Sequence, residues 1–210
     1  MRKYLQMRAA SFAVTVAVLA IVAPGCKSNP VTPNALSLSE TVERALTAEG
    51  AIPWDGDRPV TWEVYRGHPP ANPGQGAAST AYDLVHGMRC TGQRFEFVVI
   101  AAFQPERSWV LPSVVATPAA SQRMLQHERT HFDLTEVHAR RMRRYFSQLL
   151  QPCTRPHEEL QSALTHFIQQ EAEAQGRYDR ETSYGRVPDR QEAWNADVAR
   201  LLTSFAAYER

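Results

Sequence analysis

From Ala119 to Gln151 no glycine or proline interrupts the chain, and apolar residues recur at Met124, Leu125, Phe132, Met142, Phe146 and Leu149. Those three- and four-residue spacings are one face of a single long helix, and the rest of the fold has to pack around it. In its middle stands His127-Glu128-Arg129-Thr130-His131, which spells H-E-x-x-H. On a helix, positions i and i+4 share a face, so both imidazoles can reach one ion while the intervening carboxylate reaches a water held by it. The pattern points to zinc chemistry, with His127 and His131 as ligands and Glu128 as general base toward a water whose pKa the metal lowers to about 7.

Such a site needs a third protein ligand, and helix geometry excludes the nearest ones. His138 lies about 10 Å past His131 along the axis, at ~1.5 Å per residue. Asp133 and Glu136 are two and five residues past His131, and at about 100° per residue they point away. An unbroken helix is also unlike zinc enzymes that turn at a glycine straight after the motif. A carboxylate from a later helix remains: Glu158, Glu159, Glu171, Glu173, Asp179 or Glu181. Composition does not rank them.

The N-terminus reads as an export signal over residues 1–25. Arg2, Lys3 and Arg8 precede an apolar run from Ala9 to Ala23 that is too short for a comfortable membrane span. It ends at Ala23-Pro24-Gly25-Cys26, similar to a bacterial lipoprotein processing site in which Cys26 becomes lipidated. Ala23 and Pro24 depart from the usual pattern, so ordinary cleavage or an uncleaved anchor also fits. Three cysteines leave one over in an exported chain; lipidation of Cys26 removes it and leaves Cys90 and Cys153 to pair, the alternative being two buried thiols. Without Arg2, Lys3 and Arg8 the chain has 20 basic against 22 acidic residues and no aromatic-studded basic stripe, which argues against nucleic acid as a partner.

Residues 26–36 are polar and proline-containing, a tether, and residues 37–210 have the length of one domain. Ser37 with Glu40 forms a capping-box pattern opening a short helix over Thr41 to Ala48. Runs rich in β-formers at Val60–Tyr65, Ser79–Val85, Phe95–Phe103 and Ser108–Leu111 predict a small antiparallel sheet, with Phe95–Phe103 as a strand able to take up extended peptide. Helices are predicted at about 119–150, 157–182 and 189–208. Sheet first and helices after is an α+β order. Arg140, Arg141, Arg143 and Arg144 read as a solvated face at a helix end.

Several separated segments carry a further likeness: Arg58-Pro59-Val60-Thr61-Trp62 with Gly67, Ala78-Ser79-Thr80, Ser108-Trp109, the run from His127 to Arg143, and Tyr178-Asp179-Arg180-Glu181-Thr182 followed by Gln191 and Trp194. Over about Ile52 to Trp194 the chain resembles a family of predicted secreted zinc-dependent proteases of bacteria, grouped as a domain of unknown function. The resemblance implies a zincin-like metalloprotease domain. That family's terminal motif looks like Y-D-x-E-T-x-H-G, and here Tyr184 stands in place of its His. The segment Glu181 to Gly185 is also similar in spacing to the third-ligand segment of aspzincin-type metallopeptidases. That likeness implies Glu181 as third zinc ligand, Tyr184 as oxyanion donor, and Asp179 as a partner of a ligand histidine or the alternative third ligand.

The expectation is thus a Zn2+-dependent peptidase of the bacterial envelope, acting on peptide or protein and touching membrane only through a lipid anchor. Two other readings use the same residues: a non-catalytic envelope lipoprotein, supported by the Tyr184 departure, and a zinc amidase acting on peptidoglycan.

Overall fold

The computed structural model describes residues 36–73 and 76–210. The expected signal, the tether up to residue 35 and Cys26 lie outside the described residues. The architecture is α+β: a small antiparallel sheet, then a long helix and further helices.

Helix α1 (Leu38–Ala48) opens on the expected capping box. Ser37 Oγ accepts from Glu40 N at 3.2 Å and the Glu40 carboxylate accepts from Ser37 N at 2.7 Å. Strand β1 (Ile52–Pro53) follows, and after the loop come β2 (Ala78–Ser79), β3 (Tyr82–Thr91), β4 (Arg94–Phe103) and β5 (Trp109–Val110). The main sheet has the order β1-β4-β3, and β2 pairs with β5 separately. Register Thr91↔Arg94 leaves a two-residue turn whose first residue, Gly92, has φ +61. Two-residue hairpins favour glycine at such a position because it reaches positive φ at no steric cost.

Strand β4 is covered on both faces, and its alternation sorts them. Ile100 and Ala102 pack with Val42 and Leu46 of α1. Val99, Ala101 and Phe103 face the core that holds Phe132, Ala139, Met142 and Phe146. Those four lie on helix α3 (Pro118–Ser147), which follows the single turn α2 (Pro112–Val115). Helices α4 (His157–Thr182) and α5 (Pro188–Ser204) complete the body, with Leu134 and Val137 of α3 meeting Ala174, Tyr178 and Val198. Among the described residues no helix is long and apolar enough to cross a membrane.

Cys90 at the end of β3 is disulfide-bonded to Cys153 between α3 and α4, Cα to Cα 5.7 Å. This fastens the end of the sheet remote from Tyr82, since eight strand residues span about 26 Å at ~3.3 Å each.

Four expectations are corrected. Val60–Tyr65 is no strand: its backbone closes local turns, Val64 N to Thr61 O and Tyr65 N to Trp62 O, with a short 3-10 turn at Trp62–Val64. Ser79–Val85 splits at Thr80 and Ala81, where Ala81 bonds Ser108 Oγ and Gln104 N instead of a ladder partner, so the chain passes from one sheet to the other. The strand expected to accept peptide, Phe95–Phe103, is internal, paired with β3 along its length and with β1 at its end. The arginine run is not uniformly solvated either. Arg140 is 2 % exposed, and it and Arg143 each lie 2.9 Å from Oε1 of buried Glu136, while Arg144 is exposed.

Candidate metal centre

His127 and His131 project from the middle of α3 toward α4. Their Nε2 atoms are 3.2 Å apart, and Asp179 Oδ1 completes the triangle at 3.3 Å from His127 Nε2 and 3.0 Å from His131 Nε2. Four-coordinate zinc bonds nitrogen and oxygen at about 2.0–2.1 Å, which places tetrahedral ligand atoms about 3.3–3.4 Å from one another. The three atoms therefore already stand close to the edge length that such an ion requires. Both imidazoles are buried, at 2 % and 8 % exposure, while the Asp179 side chain is 30 % exposed. The cluster opens to solvent on the side of α4.

The electrostatics favour positive charge at this point. Burial alone would push His131 down, yet the hydrogen bond and charge of Asp179, with Glu128 and Gln175, lift it to about 9. Burial would likewise raise Asp179, but hydrogen bonds from the two histidines hold it well below the usual carboxylate range. His127, His131 and Asp179 form a donor set that could hold a metal ion.

Glu128 lies between the two histidines in sequence and is 3 % exposed. Around it stand Tyr65, Tyr82, Tyr178 and His131. Burial first, then the charge of Glu128 at Tyr65 and Tyr178 and of Glu171, Asp179 and Glu128 at Tyr82, push the three phenols well above their ordinary range, so they stay protonated at neutral pH. Tyr82 opens β3 and stacks on His131, centroids 6.3 Å apart. Tyr178 is fully buried, stacks on His127 at 4.7 Å and meets His131 edge-on at 4.8 Å.

Of the two acidic residues expected as third ligand, the alternative, Asp179, reaches the histidines and Glu181 does not. Residues two apart on a helix point about 200° apart, so only one of the pair can face α3. Buried Glu171, Ala174, Gln175, Tyr178 and Thr182 mark that face, and Asp179 sits one turn past Gln175. Glu181 points outward, where its Oε2 accepts from Trp194 Nε1 at 2.9 Å.

Tyr184 is half-exposed on the turn that ends α4. Ser183, Tyr184 and Gly185 all take positive φ, at 50°, 58° and 75°. For Ser and Tyr this left-handed backbone is strained, and such strain gathers at functional sites. The turn is tied down by Tyr184 N to Asp179 O at 2.9 Å and Gly185 N to Thr182 Oγ1 at 3.2 Å. Its effect is close approach: a Cβ on Gly185 would lie 3.0 Å from His127 Cβ.

Sequence reasoning missed Gln175 and Tyr178 as neighbours of the cluster and gave Gln191 no role. Gln175 Oε1 lies 2.6 Å from His131 Nδ1, and Gln191 Oε1 lies 3.0 Å from His127 Nδ1. Extending Leu164 and Ile168 by sevens reaches Glu171, Tyr178, Gln175 and Thr182, a signal that could have found this face. A cavity of about 580 Å3 lies elsewhere, lined by Trp54, Arg58, Glu136 and Arg143 among others, and includes none of the cluster residues.

A family of bacterial proteins of unknown function, DUF922, matches residues 64–185, a span that holds His127, Glu128, His131 and Asp179 and ends at Gly185. The match covers more than half of the chain, which belongs to that family. No curated protein and no solved structure matches it.

Proposed function

We propose that this member of DUF922 is a zinc-dependent peptidase of the bacterial cell envelope, with His127, His131 and Asp179 as metal ligands and Glu128 as general base. The observation that carries the reading is the triangle of two imidazole nitrogens and one carboxylate oxygen, 3.0–3.3 Å on a side. Two histidines and a carboxylate serve catalytic zinc and also non-haem Fe(II). A second buried carboxylate beside the first histidine has a use in hydrolysis as a proton acceptor, and this favours zinc.

Bound there, zinc supplies Lewis-acid polarisation of the scissile carbonyl and acidifies a water. Glu128 takes the proton from the attacking water and passes it to the leaving amine. Tyr65, Tyr82 and Tyr178 remain protonated beside it and do not compete as bases. Tyr184, half-exposed next to the glycine that packs on His127, offers a hydroxyl to the developing oxyanion. A long H-E-x-x-H helix behind a small antiparallel sheet supports a zincin-like arrangement. The disulfide and the charged-then-apolar N-terminus support export, with Cys26 as the lipidated residue.

The test is cleavage of a quenched-fluorescent peptide library by zinc-loaded protein, beside Glu128→Gln and Tyr184→Phe. Glu128→Gln is expected to keep its zinc and lose activity by at least about 100-fold, the scale of general-base contributions. Tyr184→Phe should lose about 10- to 1000-fold in kcat with little change in KM. A zinc-loaded wild type that cleaves no peptide would leave a metal-binding envelope module, and Glu128→Gln at full rate would end the general-base role.

A further inference from the structure

Each candidate ligand histidine is held by a buried glutamine whose amide cannot turn over. Gln175 directs Oε1 at His131 Nδ1 and Nε2 at three oxygens: Glu171 Oε1 at 2.7 Å, Thr135 Oγ1 at 3.0 Å and the His131 carbonyl at 3.0 Å. A carbonyl oxygen only accepts, so the amide nitrogen has to face it. The amide oxygen is then left for the ring, and the ring nitrogen there has to donate.

Gln191 reaches the same result by one more step. The Tyr178 hydroxyl donates to the His127 carbonyl at 3.2 Å, and its lone pair accepts from Gln191 Nε2. The same Nε2 also donates to Asn195 Oδ1 at 2.7 Å. Gln191 Oε1 is therefore the atom that faces His127 Nδ1.

With both Nδ1 atoms donating, each ring in its neutral form keeps its lone pair on Nε2, directed at the other ring and at the Asp179 oxygen from 3.0–3.3 Å. Three electron-pair donors at that spacing repel unless a cation lies among them. We propose that Gln175 and Gln191 are positioning residues that fix His131 and His127 in the Nδ1–H tautomer, each amide being oriented by the histidine's own backbone carbonyl, directly for Gln175 and through Tyr178 for Gln191. The inference rests on the metal-centre reading above and deepens it. It also gives the two arms different sensitivities: removal of the Tyr178 hydroxyl loosens only the His127 arm.

The test is zinc affinity by competition with a chromophoric chelator, together with 1H–15N imidazole spectra of the zinc-loaded protein, for wild type, Gln175→Met, Gln191→Met and Tyr178→Phe. Wild type should show two slowly exchanging Nδ1–H signals. Each methionine variant should lose the protection of one signal and bind zinc about 10- to 100-fold more weakly, the usual effect of removing a partner of a ligand histidine. Tyr178→Phe keeps its ring and should disturb the His127 signal alone, so it carries the test if a methionine variant fails to fold. Folded glutamine variants with wild-type affinity and spectra would overturn the proposal and leave the metal centre standing. A wild type that binds no zinc would overturn the centre itself.

Discussion

His138 should make the fold acid-sensitive, and the size of the effect follows from its surroundings. The ring is 1 % exposed on α3, and neither nitrogen has a hydrogen-bond partner among the described residues. Burial first, then the charges of Arg141 and Arg177, push its pKa down to about 4 from 6.5. The unfolded chain takes up a proton near pH 6.5 while the folded one resists until about 4. The folded state is therefore favoured fully above 6.5 and loses that advantage as pH falls toward 4. At about 1.4 kcal/mol per pKa unit the full loss is about 3 kcal/mol, of which about 2 kcal/mol has gone by pH 5. His138→Phe removes both the titration and two unpaired polar atoms, the latter worth about 1–3 kcal/mol at any pH. Urea unfolding of wild type and His138→Phe at pH 7.5 and pH 5 checks this, because every other titration is common to both. The variant should be the more stable, with its lead about 2 kcal/mol wider at pH 5. A stability difference that does not change between the two pH values would refute the reasoning.

Breaking the 63-residue disulfide loop with Cys90→Ser and Cys153→Ser should cost about 2–4 kcal/mol in urea unfolding, since loop-closure entropy alone gives about 4 kcal/mol, while zinc affinity stays unchanged. Gly185→Ala forces a Cβ to 3.0 Å from His127 Cβ at φ +75. It should cost about 1–2 kcal/mol in stability and weaken zinc binding; equal affinity would show that the turn does not set the His127 ring. Glu136→Gln removes the buried carboxylate shared by Arg140 and Arg143, leaving Arg140 paired with half-exposed Glu209 at 2.9 Å, and should destabilise by about 1–3 kcal/mol without touching zinc affinity.

The long helices were legible because their boundaries are local. The second was expected over 157–182 and is found as His157–Thr182, and the Ser37–Glu40 cap stands as written. Sequence periodicity could not tell that Val60–Tyr65, rich in β-formers, would spend its backbone on local turns. Strand pairing is decided by distant partners, and here Val60 O is taken by Arg129 Nε at 2.7 Å. The His pair followed from i,i+4 geometry within one helix. The choice between Asp179 and Glu181 did not, since it depends on how α4 is rotated against α3, which is set by the burial of Glu171, Gln175 and Tyr178. The spacing analogy to another peptidase class favoured Glu181, which bonds Trp194, while Asp179 contacts the histidines. The Gln191 support was illegible for the same reason, since it meets His127 across 64 residues of sequence, while Gln175 lay on a face that heptad spacing marks.

The central claim is that His127, His131 and Asp179 together bind one zinc ion. Elemental analysis of metal-reconstituted, gel-filtered protein tests it directly, with wild type, Asp179→Ala and Glu181→Ala measured side by side. One zinc per chain is expected in wild type and in Glu181→Ala, and well under one in Asp179→Ala. Zinc retained in Asp179→Ala but lost in Glu181→Ala, or no zinc in wild type, would contradict the account.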